Sequence, residues 1–170
     1  MFSPNDVVMY GTTGICRVAD IRPENFYGEE KLYYVMIPFT DKNARVFCPV
    51  DGSGTPIRRL LSKDEIYDLI REMPDLRMEW IENKQLRREK YNGILRSGDQ
   101  RELAKLIRAL YRKRDERFRD GKKFFQYEER VMHDAERILY GEFAHVLNLA
   151  PNEVAPFISS MLEQNTKQAE

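Results

Sequence analysis

The chain has 170 residues, of which 33% are charged and 42% are hydrophobic, and its formal net charge is zero. This composition is typical of a folded globular protein, and no apolar run approaches the roughly 20 residues that a membrane-spanning helix requires. The first residues also lack the basic start, apolar stretch and cleavage site of a secretory signal. We therefore expect a cytoplasmic protein without membrane association.

The charge is unevenly distributed along the chain. Residues 81–123 contain 15 Lys and Arg against 7 Asp and Glu, an excess of +8, so that the remainder carries −8. A binding partner meets the local field rather than the total charge. The segregation therefore keeps nucleic acid among the expected partners of a protein whose net charge is zero.

Five short segments in the first sixty residues have the character of β-strands. Residues 7–10, 15–21, 32–37, 44–48 and 57–60 are rich in β-branched and aromatic side chains, and turn signals separate them. Five short strands in so few residues predict a small, strongly bent SH3/Tudor-like β-barrel over residues 1–60. Cys16 and Cys48 fall within these strands, which favours buried thiols over a disulfide scaffold or a zinc site.

From Ser62 the apolar pattern has a helical period, and we expect an all-α helical bundle over residues 61–165 with a frayed tail over 166–170. The second helical stretch is expected to include roughly residues 78–96. The helix boundaries are marked by capping or breaking residues, which are Ser62 and Glu65, Pro74, Gly98, Asp99, Gly121 and Pro151. The predicted fold class is therefore α+β and multi-domain, a small barrel followed by a helical bundle.

Neither catalytic nor metal-binding groups are recognisable in the sequence. His133 and His145 are twelve residues apart on one predicted helix, too far to share a metal ion. The glycine-containing turns at 11–14 and 51–54 lack the Lys-Ser/Thr of a P-loop. We expect a binding protein that is not an enzyme and has no cofactor and no metal.

Several local strings, in their order, resemble the CarD/CdnL family of bacterial transcription regulators. Residues 95–99 (LRSGD) precede a basic helix and residues 138–144 (ILYGEFA) lie in a later one. The N-terminal part, from Asp6 to Pro49, is similar to the RNA-polymerase-interacting domain that this family shares with transcription-repair coupling factors. The resemblance covers roughly residues 3–148.

The resemblance implies a transcription regulator with two binding domains. The barrel would bind the β subunit of RNA polymerase. The helical domain would contact promoter DNA near the edge of the transcription bubble, where a tryptophan enters the minor groove and basic side chains hold phosphates without strong sequence specificity. This arrangement would modulate the stability of the open complex, in which we expect the protein to be bound as a monomer. The alternative is a protein-interaction adaptor whose barrel binds another partner and which has no role on DNA.

The expected DNA-binding residues surround the only tryptophan of the chain, and they are Trp80, Lys84, Arg87, Arg88 and Lys90. Six residues separate Trp80 from Arg87, whereas the family places paired arginines only a couple of residues after its tryptophan. Two alternatives follow: either the loop before the helix is longer and still delivers the indole, or Trp80 packs into the core.

A second basic cluster and a set of barrel residues complete the candidates. For the cluster at 112–114, 117, 119, 122 and 123 we favour a solvated helix end, where cations suit the helix dipole. In the barrel, an exposed strand edge would be the simplest polymerase-binding surface. The polymerase-binding candidates are Arg22, Glu24, Arg45 and Phe47.

Overall fold

The computed structural model describes residues 1–169. The chain divides into two compact units, one over Met1–Leu60 and one that begins at Leu61. The first unit is built from β-strands and the second from α-helices. The predicted fold class, a small β domain followed by a helical domain, is confirmed.

The N-terminal unit is an antiparallel five-stranded sheet with the strand order β4-β3-β2-β1-β5. The strands are β1 Val7–Tyr10, β2 Gly14–Phe26, β3 Glu29–Pro38, β4 Val46–Pro49 and β5 Ile57–Arg59. All five predicted strands are present, although β2 and β3 are longer than expected. Their hairpin continues through Pro23 and Asn25, which are poor strand formers, because the cross-strand ladder to β3 holds them.

One face of the sheet forms the hydrophobic core, to which every second residue of the strands contributes. The buried core residues are Val8, Cys16, Val18, Tyr34, Met36 and Cys48. A β-bulge between Val18 and Asp20 bends β2 and keeps the alternation in phase with β3. Both thiols are free and buried, and burial raises the pKa of Cys16 to about 11, so its thiol stays protonated at neutral pH.

The turn between β2 and β3 places a bulky residue in the left-handed region. Tyr27 has a φ of 60° and Gly28 a φ of 84°, the backbone that a two-residue type I′ hairpin requires. Glycine and asparagine adopt this conformation at low cost, whereas other L-residues are penalised. The Tyr27 side chain is fully exposed.

We expect Tyr27→Asn to raise the free energy of unfolding of the β unit by about 1 kcal/mol, because asparagine tolerates positive φ better than tyrosine does. Urea unfolding monitored by near-ultraviolet circular dichroism would measure the change. Tyr27→Phe retains the bulky ring and should leave the stability unaltered. Equal stabilities of the tyrosine and asparagine proteins would show that this turn carries no backbone strain.

The C-terminal unit contains five α-helices. They are α1 Lys63–Glu72, α2 Lys84–Ser97, α3 Gln100–Arg119, α4 Gln126–Leu147 and α5 Val154–Gln168. Ser62 and Glu65 form the expected capping box, and the Asp99 side chain caps α3. Gly98 ends α2 with a left-handed backbone.

One boundary prediction in this unit was wrong. The second helix begins at Lys84 rather than near residue 78, because the Asn83 side chain accepts a hydrogen bond from the Leu86 N–H and sets the N-cap there. The expected frayed tail over 166–170 is helical as far as Gln168, and Glu170 lies outside the described residues. Among residues 1–169, none of the helices has both the length and the apolar character needed to cross a membrane.

The helical core is formed by the inward faces of α1, α3, α4 and α5. Its largest fully buried aliphatic side chains on α3 and α4 are Leu103, Leu106, Leu110, Met132, Ile138 and Leu139. The buried Glu142 carboxylate accepts a hydrogen bond of 2.8 Å from the Leu61 N–H. The string at 138–144 therefore supplies the core with Phe143 and fixes the chain where it enters the helical unit.

Candidate nucleic-acid interface

Trp80 lies on an irregular segment that connects the end of α1 to the start of α2. Residues 76–82 have neither helical nor strand hydrogen bonding, and the Trp80 side chain is half-buried. The stretch before the helix is thus a longer loop, as the first of the two alternatives requires. Trp80 is not among the buried core residues of the helical unit.

The indole of Trp80 is part of a stack of aromatic rings and cations. Its ring lies 6.0 Å from the ring of Phe125, with 20° between the planes. The Arg87 guanidinium lies 4.4 Å and the Lys113 ammonium 4.9 Å from the centre of the indole. The Arg117 guanidinium lies 4.1 Å from the Phe125 ring. These distances are within the range of cation–π attraction, so cations from two helices hold the aromatic pair.

Arg87 is the link between this stack and the interior. Only 5% of the residue is exposed. Its Nε and Nη2 atoms each lie 2.8 Å from Oε1 of Glu128, itself buried on α4. Its Nη1 donates to the Ile81 and Glu82 carbonyl oxygens at 2.8 and 3.2 Å. The Arg87 guanidinium, which was expected to contact phosphate, therefore donates its hydrogen bonds to the protein. These bonds hold the loop that carries Trp80.

The neighbouring cations of α2 have a different environment. Lys84, Arg88 and Lys90 are all exposed. The Arg88 guanidinium lies 4.6 Å from the ring of Tyr127, whose hydroxyl donates to Oδ1 of Asn92 at 2.9 Å. Lys84 and Arg88 line a groove of about 340 Å³ together with Phe125 and Arg130, whereas Lys90 does not line it.

A second groove lies on the Trp80 side of the stack. It has a volume of about 370 Å³, and its lining includes Trp80, Arg77 from the same segment, and Arg112 and Lys113 from α3. Glu79 and Glu116 also line it, so its field is less positive than that of a purely basic groove. The Trp80–Phe125 stack is thus shared between two grooves, each with cations in its walls.

Three residues of this arrangement were not among the predicted site residues: Lys113, Arg117 and Phe125. The favoured interpretation of the second basic cluster, a solvated helix end, does not describe Lys113 and Arg117, because both lie over aromatic rings. Their i, i+4 spacing on α3 is the signal that places them on one face. Nothing in the sequence indicates which ring that face meets.

Two family models match the chain. The model described as the CarD-like/TRCF RID domain matches residues 2–61, and the model described as the CarD C-terminal domain matches residues 66–159. The chain belongs to the CarD-like family. Its domains are those of a family of RNA-polymerase-interacting transcription regulators. No curated protein matches the chain.

In this CarD-like protein, three of the polymerase-binding candidates lie on the sheet face opposite the core. Arg22 and Glu24 on β2 pair with Tyr33 and Lys31 of β3, and Phe47 on β4 pairs with Val35. Arg22 is already engaged in ion pairs, at 2.7 Å with Glu24 and 3.4 Å with Asp20. Both carboxylate partners of Arg22 are on its own strand, so the three candidates on this face have no strong excess of either charge.

Phe47 and the fourth candidate, Arg45, belong to the edge of the sheet. Strand β4 is at one end of the strand order, with Phe47 in it and Arg45 just before it. The Phe47 ring packs edge-to-face on Phe26 at 5.2 Å, and Phe26 packs in the same way on Tyr33 at 5.1 Å. Arg45 is exposed and donates to the Lys42 and Ala44 carbonyl oxygens. An aromatic face beside a free strand edge is suited to binding another chain.

Within residues 1–169, no group of three or more His, Cys, Asp or Glu side chains could hold a metal ion. The two histidines of α4 are both exposed. The tyrosine beside the Arg87–Glu128 pair, Tyr91, is fully buried, and burial raises its pKa to about 12. Tyr91 is therefore neutral at physiological pH and packs as part of the core.

Proposed function

We propose that this CarD-like protein is a non-enzymatic transcription regulator that acts in the cytoplasm without a cofactor. Its N-terminal domain, residues 1–60, binds the β subunit of RNA polymerase. Its helical domain contacts promoter DNA near the edge of the transcription bubble, in the minor groove and along the phosphates. Together the two contacts modulate the stability of the open complex, with one copy of the protein in each complex.

The observation that carries the DNA-binding half is the half-exposed Trp80 ring stacked on Phe125 among cations from α2 and α3. An indole offers about 150–250 Å² of rigid apolar surface, which can enter a minor groove and offset the cost of unstacking a base step. Phosphate contacts fix the position of such a wedge along the duplex. The exposed cations of the two adjoining grooves can provide those contacts.

The proposed DNA-binding residues have three roles. Trp80 is the wedge, and Lys84, Arg88 and Lys90 contact phosphates, with Lys113 and Arg117 added to them from α3. Arg87 acts as a positioning residue, since its donors bind Glu128 and the carbonyl groups of residues 81 and 82. A buried arginine thus orients the loop, while its exposed neighbours bind the backbone of the DNA.

We expect Arg88→Gln to reduce by about 0.9 the slope of log affinity against log salt concentration for the polymerase–promoter complex, because one phosphate contact is lost. Fluorescence anisotropy with labelled promoter DNA at several salt concentrations would measure the slope. Lys167→Gln, at an exposed lysine on α5, is the charge-matched control and should leave the slope as it is.

An unchanged slope in Arg88→Gln would remove Arg88 from the phosphate contacts. If the affinity of the unmodified protein has no salt-dependent contribution from the helical domain, the adaptor alternative, in which this domain does not touch DNA, is the better account.

For the polymerase-binding half, the supporting features are the matched N-terminal domain and the aromatic face beside the β4 edge. Arg22, Glu24, Arg45 and Phe47 are the proposed contacts. Two of them, Arg22 and Glu24, pair with each other, so the charge contrast of the surface depends mainly on Arg45. A charge reversal at Arg45 is therefore the sharper test.

We expect Arg45→Glu in the full chain to weaken retention of the polymerase β subunit about tenfold, a loss of roughly 1.4 kcal/mol. A pull-down titration at low salt would measure it. The control is Arg59→Glu, the same charge change at an exposed position on β5, at the other end of the strand order. Failure of the unmodified chain to retain the β subunit would refute the polymerase half of the proposal.

A further inference from the structure

The helical unit contains a third, more apolar cavity that the proposed DNA contacts do not use. It has a volume of about 220 Å³ and lies between α3, α4, α5 and the turn after α1. Its walls include Met73, Ile107, Arg108, Tyr111, Leu139 and Leu162. Arg108 is the only charged residue in the lining. An apolar cavity with one polar anchor is the usual design of a small-molecule site.

The Arg108 guanidinium has an unused hydrogen-bonding edge. Its Nη1 donates to the Met73 carbonyl oxygen at 2.6 Å, which fixes the side chain beside the cavity. Among residues 1–169, neither Nε, which is buried, nor Nη2 has a hydrogen-bond acceptor. These two atoms form the side-on edge of a guanidinium, the one that binds both oxygens of a carboxylate. A buried donor without an acceptor costs free energy that a ligand oxygen would recover.

The surroundings of Arg108 favour an anion. Burial, followed by the charges of Arg77 and Arg112, lowers the pKa of Arg108, while the charge of Asp75 opposes this effect. Three guanidinium groups, of Arg77, Arg108 and Arg112, thus outnumber the two carboxylates, Asp75 and the Glu136 that accepts from Tyr111. The Tyr111 hydroxyl donates to Glu136 and therefore does not compete for the anion.

We propose that this cavity binds a small aliphatic carboxylate, whose two oxygens accept from Nε and Nη2 of Arg108 and whose chain packs on Ile107, Leu139 and Leu162. The apolar walls select against a nucleic-acid phosphate, which would satisfy the arginine but leave the hydrocarbon surface uncovered. The site does not depend on the proposed DNA contacts.

Methyl NMR spectra of the full chain, titrated with sodium octanoate below its micelle concentration, test the proposal. We expect saturable shifts of the Ile107, Leu139 and Leu162 methyl groups. Acetate carries the head without the chain, and octanol carries the chain without the head. Each should bind at least tenfold more weakly than octanoate. Inorganic phosphate should cause no saturable shift of the same methyl groups.

Three variants separate the anchor from the chain site. Arg108→Gln, which can still donate to Met73, should weaken octanoate binding at least tenfold, and Leu162→Phe, which fills the cavity, should do so with Arg108 intact. Arg119→Gln, at an exposed arginine of α3, should have no effect. Equal shifts with phosphate, unchanged octanoate binding in Leu162→Phe, or no saturable shift with octanoate would each overturn the proposal.

Discussion

Arg87→Ala is expected to lower the free energy of unfolding of the helical unit by about 3–5 kcal/mol, because it leaves the Glu128 carboxylate buried without its partner. Only 2% of Glu128 is exposed, and its Oε1 atom lies 2.8 Å from both Nε and Nη2 of Arg87. Urea unfolding followed by the helical circular dichroism signal would measure the loss. The helical signal reports this unit separately from the β unit.

The adjacent arginine provides a matched control. Arg88→Ala removes the same side chain one position along α2, where it is exposed, and should cost within about 0.5 kcal/mol. The double variant Arg87→Met/Glu128→Leu removes both charges and should recover most of the stability. Similar losses for Arg87→Ala and Arg88→Ala would show that the buried pair does not hold the loop.

The charge pattern of the sequence does not separate the two roles of these arginines. Arg87 and Arg88 are neighbours in a basic stretch, and both were expected on phosphates. A helical count shows the difference: Arg87 continues the buried stripe of Tyr91, Ile94 and Leu95, whereas Arg88 is turned about 100° away. An arginine on an apolar stripe needs a buried acid, and that acid is 41 residues further along the chain, at Glu128.

The fold can be predicted from the sequence more easily than the site, because the signals that set helix and strand boundaries are local. Ser62 and Asp99 begin helices through hydrogen bonds to amides three residues away, and the sequence displays both ends of each bond. The stack at Trp80 depends instead on Phe125, which is the N-cap residue of α4 and lies far from Trp80 in the sequence. Such long-range packing is set by how the helices meet, and no spacing along the chain encodes it directly.

The segment between Trp80 and Arg87 shows both kinds of information. The six-residue separation is visible in the sequence, and it raises two alternatives, a longer loop or a tryptophan packed into the core. Asn83, a preferred N-cap residue, divides the stretch into a loop and a helix, so the helix expected from about residue 78 begins only at Lys84. Arg87 then reaches back to the carbonyl groups of Ile81 and Glu82, so the longer loop is held close to α2.

Trp80→Ala is expected to weaken the binding of the protein to a polymerase–promoter open complex by about 1–3 kcal/mol, roughly 5- to 150-fold, the range for losing one aromatic ring stacked on a base. The effect of the protein on the lifetime of the open complex should fall in proportion. Competitor-challenge decay of preformed open complexes, at several protein concentrations, would measure both quantities.

Two variants distinguish the wedge from simple loss of aromatic surface. Trp80→Phe keeps a ring that can stack on Phe125 and should retain most of the affinity, whereas Phe118→Ala removes an α3 ring that is 56% exposed and lines neither groove. Because Trp80 also packs against Arg87, the stability of each variant must be measured alongside its affinity. If Trp80→Ala folds normally and leaves the open-complex lifetime unchanged, the indole is a packing group for the loop, and DNA binding would then rest on the cations alone.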